Sequence, residues 1–102
     1  MGKLFLLLKI EYYLATLSND TLRERLHVHV IRPNKRDLSR VNVYAKIWIE
    51  KDGVKNLEVA YNTLDNTTLK DILTRNDNNY DLVKKQVIDA LSGNKVKIIK
   101  LK

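Results

Sequence analysis

Hydrophobic and polar positions alternate with period two in three stretches between Leu26 and Tyr61, and the pattern changes to helical spacing after that. The clearest alternation runs through Val43, Ala45, Ile47 and Ile49, with Tyr44, Lys46, Trp48 and Glu50 between them, which predicts a strand with one buried face. Asp52-Gly53 follows, a dipeptide suited to a type I′ turn because both central residues need positive φ. The return strand, Val54 to Tyr61, places Leu57, Val59 and Tyr61 on one face. Upstream, Leu26 to Ile31 reads as a strand with Leu26, Val28 and Val30 on one side and His27, His29 and Ile31 on the other. Pro33 ends this strand or marks an edge.

The N-terminal runs, Leu4 to Leu8 and Ile10 to Leu17, are too continuously apolar for period to separate strand from buried helix. Tyr12, Tyr13 and Thr16 favour strand, and Ser18-Asn19-Asp20 supplies turn chemistry. After a polar link, a short helix carries Leu69, Ile72 and Leu73, with Asn66 or Thr67 as its N-cap and Asn76 to Asn79 interrupting it. A second helix runs from about Tyr80 to Leu91 with Val83, Val87, Ala90 and Leu91 on one stripe, and Gly93 stops it. Lys95 to Leu101 reads as a terminal edge strand, on which lysines discourage unwanted pairing. Strands, then two helices, then one strand predict a single α+β domain over residues 1–102: an antiparallel sheet of about four to five strands with two helices near the C-terminus packed on one face.

Composition narrows the function classes. The 102 residues are 44% apolar and 30% charged, a globular composition at the size of one domain. With no cysteine, disulfides, thiolate metal sites and a cysteine nucleophile are unavailable, as in a cytoplasmic protein. The apolar run Leu4–Leu8 is too short for a signal peptide or a membrane span, and Leu6 stands where a myristoylation motif wants Ser or Thr. The glycines are isolated, so no phosphate-cradling loop is present, and no cofactor is expected.

The net charge of +7 is unevenly placed. Residues 23–46 carry seven basic residues against Glu24 and Asp37, the last eight carry Lys95, Lys97, Lys100 and Lys102, and the segment between them is slightly acidic. Arg32, Lys35, Arg36 and Arg40 form a basic loop suited to phosphate, which asks only for clustered positive charge. Lys46 and Trp48 share a strand face, as do Tyr44 and Glu50, and an aromatic beside cations can stack bases; the competing reading packs Trp48 beneath the helices with Lys46 extended to solvent.

His27 and His29 point the same way, the spacing of a metal-binding or phosphate-facing pair. Zinc takes three or four protein ligands and no further His or Cys exists, so a carboxylate such as Glu24, Glu50 or Glu58 would have to complete the set; no metal site is expected. The same two residues could act as acid and base in a metal-independent ribonuclease. Arg25-Leu26-His27-Val28-His29-Val30 resembles the histidine-triad nucleotide-hydrolase signature, which would make His27 the nucleophile and His29 the last histidine, with Arg25 standing where the first histidine belongs.

A broader resemblance spans most of residues 12 to 91. His27-Val28-His29-Val30, Ala45-Lys46-Ile47-Trp48-Ile49 and Leu57-Glu58-Val59-Ala60-Tyr61-Asn62, followed by two amphipathic helices, resemble a family of small bacterial proteins that share a domain of unknown function, often proposed to be toxin–antitoxin associated. The resemblance implies that His27, His29, Lys46, Trp48, Tyr61 and Asn62 belong to a shared surface or core. The expectation from the whole sequence is a non-enzymatic binding module. Its basic surface would meet nucleic acid or an acidic protein partner and no membrane, and homo-oligomers would form through the terminal strand.

Overall fold

The computed structural model describes residues 2–7, 12–17, 20–33, 36 and 41–101, with the backbone alone at residues 2–4, 6 and 7. It is an α+β fold whose strands are β1 (Gly2–Leu7), β2 (Tyr12–Thr16), β3 (His27–Pro33), β4 (Val41–Lys51), β5 (Val54–Asn62) and β6 (Ile99–Leu101). The helices α1 (Asn66–Asn78) and α2 (Tyr80–Leu91) lie between β5 and β6 in the chain. The strands form one sheet in the order β5-β4-β3-β2-β1-β6, so the sheet has six strands where four to five were expected. From β1 to β5 it is an antiparallel meander. β6 returns to the far edge and pairs parallel with β1.

That return follows from the helices. A meander leaves β5 at one edge, and α1 and α2 carry the chain back across one face of the sheet, α1 packing on β5 and α2 on β1 and β2. Phe5, Leu14, Val28, Val30, Ala45, Ile47 and Ile49 face Ile72, Val83 and Val87 in one core cluster. Two buried polar side chains tie the C-terminal segment to the helices. Arg75 donates from Nη1 to the Leu101 carbonyl at 3.1 Å, and Gln86 donates to the Lys97 carbonyl at 3.1 Å. β6 is therefore shorter than the seven-residue strand expected from its alternation, and Leu101 is buried in the core cluster.

Local chemistry explains several boundaries. Asp52 and Gly53 take φ of 52° and 80°, the paired positive values of the expected type I′ turn. The α1 N-cap is Asp65, one residue before Asn66: its carboxylate accepts from the Thr68 amide, and its extended backbone suits a cap. Asn76 does not interrupt α1, because its buried side chain donates back to the Ile72 carbonyl and the helix runs to Asn78.

Bulges change the faces of β4. The register slips between Val30 and Ile31, so Tyr44 becomes the extra residue and its carbonyl accepts from both the amide and hydroxyl of Thr63. The Tyr44 ring meets Tyr12, which packs against the helix-side core, at 5.1 Å and nearly perpendicular. Tyr44 therefore does not share the face of Lys46 and Trp48, contrary to simple alternation. Glu50, beside a further irregularity, pairs with Lys84 of α2 at 2.6 Å.

Ile47 lies at the centre of the layer, fully buried between the sheet and the helices. Ile47→Ala should lower the unfolding free energy by about 2–5 kcal/mol, the usual cost of a cavity where a buried aliphatic side chain is removed, as measured by urea denaturation.

Candidate functional site

The face of the sheet away from the helices carries the chemistry. Because β3 alternates strictly, Val28 and Val30 enter the helix-side core while His27, His29 and Ile31 point the other way. Antiparallel register sets Ala15, His29, Lys46 and Tyr61 in one row across β2 to β5, and His27, Trp48 and Glu58 in the next. Trp48 thus lies opposite the helices, with its ring edge-on to His27 at 5.3 Å. Lys46 Nζ and the Arg25 guanidinium lie 4.2 and 5.2 Å from its ring centre.

The histidines open neither into a concavity nor toward the helices. The connection after β2 folds over them, and Asp20 places Oδ1 3.1 Å from His27 Nε2 and Oδ2 3.3 Å from His29 Nε2. The two imidazoles are perpendicular with centres 5.0 Å apart. Side-chain exposure is 2% for His27, 6% for His29 and 7% for Asp20. A general acid or base must reach the proton it transfers, so this burial gives the nuclease reading no support. Among the described residues, Asp20, His27 and His29 are the group whose potential metal-donor atoms converge, all within 4.8 Å of one another.

The Asp20 loop is fixed at both ends. Asp20 Oδ2 accepts from the Leu17 amide at 2.7 Å, and the Asp20 amide donates to the Leu17 carbonyl at 3.0 Å. Arg25 closes the other end, donating from Nε to the Glu50 carbonyl at 2.5 Å and from Nη2 to Glu58 at 3.2 Å. His27 Nδ1 lies 2.8 Å from the Arg25 carbonyl. Burial lowers the pKa of His29, overriding the opposing pull of Asp20, and so favours the neutral ring. Burial alone would raise the pKa of Asp20, but the Leu17 amide and the two imidazoles hold the carboxyl below its ordinary range. Tyr61 is 46% exposed, and its phenol is pushed up by partial burial and by the Asp20 charge.

The structure separates the basic residues singled out in the sequence. Arg32 shares strand parity with Val28 and Val30 and lies 5.8 Å from the Tyr12 ring, on the helix side. Arg36 is exposed, while Lys35 and Arg40 lie outside the described residues. Lys46 and Trp48 come together, joined by Arg25 and Tyr61. The carboxylate that reaches the histidines is Asp20 and not Glu24, Glu50 or Glu58; Glu58 pairs with Arg25, and Glu50 pairs with Lys84. Asp20 was visible in the sequence only as a turn former, because its approach to His27 depends on how the β2–β3 connection crosses the sheet. No family model matches the chain, and no curated protein or solved structure matches it either. The family resemblance therefore rests on the sequence pattern alone.

The titrations of His29 and Asp20 act in the same direction. The unfolded chain protonates His29 near 6.5 while the folded state resists, so stability is complete above that pH and declines as pH falls through it. Asp20 adds a further loss as pH falls below its ordinary 3.8 toward its lower folded value. In chelator-treated buffer, the urea midpoint should fall between about pH 8 and about pH 5, and the fall should shrink in His29→Gln.

Proposed function

We propose that the protein is a non-enzymatic binding module whose sheet face away from the helices takes single-stranded nucleic acid. The observation that carries this reading is Trp48, which no helix covers and which has Lys46 and Arg25 against its ring. Tyr61, opposite Lys46 on β5, adds an exposed ring to the same row. Aromatic rings accept bases of any sequence on their faces, and neighbouring cations follow the phosphates. The net charge of +7 favours a polyanion, since phosphate contacts release counterions. The exposed Arg36 would extend the electrostatic attraction without providing a ring. An acidic protein, such as the second member of a toxin–antitoxin-like pair, would satisfy the charge but leave the aromatic row without a role. Among the described residues no helix is long and apolar enough to cross a membrane.

Trp48 is the single tryptophan, so its fluorescence reports directly on this face. Titration with a short single-stranded oligonucleotide should quench Trp48 emission, with an affinity that falls steeply as salt is added. Lys46→Glu should weaken binding, and Trp48→Ala, followed by the anisotropy of a labelled strand, should weaken it about tenfold or more. Absence of binding at low salt, or equal binding by Trp48→Ala, overturns the proposal. Binding of an acidic protein in place of the oligonucleotide would do the same.

A further inference from the structure

We propose that Asp20, His27 and His29 form a binding site for one divalent transition-metal ion, with Zn²⁺ as its probe. The argument begins with the tautomer of His27. A carbonyl oxygen can only accept, so the 2.8 Å contact between His27 Nδ1 and the Arg25 carbonyl places the proton on Nδ1. In the neutral ring Nε2 then presents a lone pair, and it lies 3.1 Å from an oxygen of the Asp20 carboxylate, itself an acceptor. Two acceptors at that separation repel unless a positive centre lies between them. The choice is a second proton on the imidazole or a cation.

Hydrogen-bond geometry favours the cation. Both Nε2 atoms are buried and neither makes an aligned hydrogen bond, although each lies close to a carboxylate oxygen. A proton shared along one of these contacts would require alignment, whereas a metal ion sits off the line between its donors. A tetrahedral ion with bonds of about 2.0–2.2 Å holds neighbouring donors about 3.3–3.6 Å apart. His27 Nε2 lies 3.1 Å from Asp20 Oδ1 and His29 Nε2 3.3 Å from Asp20 Oδ2, and one donor atom from each of the three residues lies within 4.8 Å of the others, a spread that a small shift of the side chains closes around one ion. Two imidazoles and one carboxylate are a common three-ligand set for such an ion, which leaves a further position for water.

The surroundings fit a metal site in two further ways. The contact from His27 Nδ1 to a backbone carbonyl is the outer-shell bond that fixes the orientation of a metal-binding histidine. The Leu17 amide bound to Asp20 Oδ2 holds the carboxylate in the same manner. The ligands are almost fully covered, so the ion would act as a clip rather than as a reactive centre. It would fasten the β2–β3 connection to β3 and so hold Arg25, whose carbonyl is part of the site, beside Trp48. This inference does not depend on what the sheet face binds.

The test uses untagged full-length protein stripped with chelator, with Zn²⁺ alone as the added ion. Competition with a chromophoric chelator should show one equivalent bound, and thermal unfolding should shift upward with Zn²⁺. Asp20→Asn and His29→Gln should each weaken binding about 10–100-fold. Because these variants can lose their fold, wild-type protein supplies a second readout. On Zn²⁺ addition the Nε2 nitrogen resonances of both histidines should move to metal-bound positions, and Co²⁺ should give the visible bands of a four-coordinate site with nitrogen and oxygen ligands. Failure of the wild type to bind an equivalent, unchanged Zn²⁺ affinity in a folded Asp20→Asn, or histidine spectra showing protonated His27 Nε2 that Zn²⁺ does not displace would overturn the proposal.

Discussion

Strand β3 is buried on both faces, and much of the architecture follows from that constraint. A half-exposed antiparallel strand needs one apolar face, but β3 needs two coverings of different kinds. The helix side is closed by the apolar layer around Ile72, Val83 and Val87. The other side carries two imidazoles, and burying them without polar partners would cost several kcal/mol, by the usual penalty of about 2–7 kcal/mol for an uncompensated polar group. Asp20 brings a carboxylate to both rings, and the loop that carries it is held at Leu17 and at Arg25.

The same loop organises the surface beyond it. Arg25 bonds the Glu50 carbonyl, pairs with Glu58 and lies against Trp48, so one side chain spans the β2–β3 connection, β4 and β5. The interior polar cluster and the outer aromatic row are therefore one mechanical unit. His27 joins them directly, with its ring against Trp48 and its Nδ1 on the Arg25 carbonyl. Changes to the buried groups will reach the surface through Arg25, and ordering of the surface will steady the buried groups.

Features encoded over a few residues were legible in the sequence. The hairpin turn is settled by Asp52-Gly53, α2 by its apolar stripe, and the two faces of β3 by alternation. Features that depend on distant partners were not. Asp20 has no spacing that marks it as the partner of His27 and His29. The turn of Tyr44 toward Tyr12 needs a bulge whose carbonyl is satisfied by Thr63, nineteen residues away. The N-cap is Asp65 rather than Asn66 or Thr67 because all three residue types suit capping and only backbone geometry decides among them. A terminal strand was expected over Lys95 to Leu101, but its three-residue length and its parallel place beside β1 depend on β1, Arg75 and the core around Leu101 rather than on its own alternation.

The parallel pairing of β1 with β6 has a kinetic meaning. Phe5 aligns with Ile99 and Leu7 with Leu101, so the most sequence-distant contacts in the sheet join its first strand to its last. During synthesis the β2–β5 meander and the helices can assemble by local zippering, while β1 has a partner on only one side until the last strand leaves the ribosome. Closing so long a loop is entropically slow, and this pairing is expected to form late. Until then the nascent chain carries an open sheet edge at β1, a segment rich in leucine, for which a chaperone or a neighbouring chain can compete.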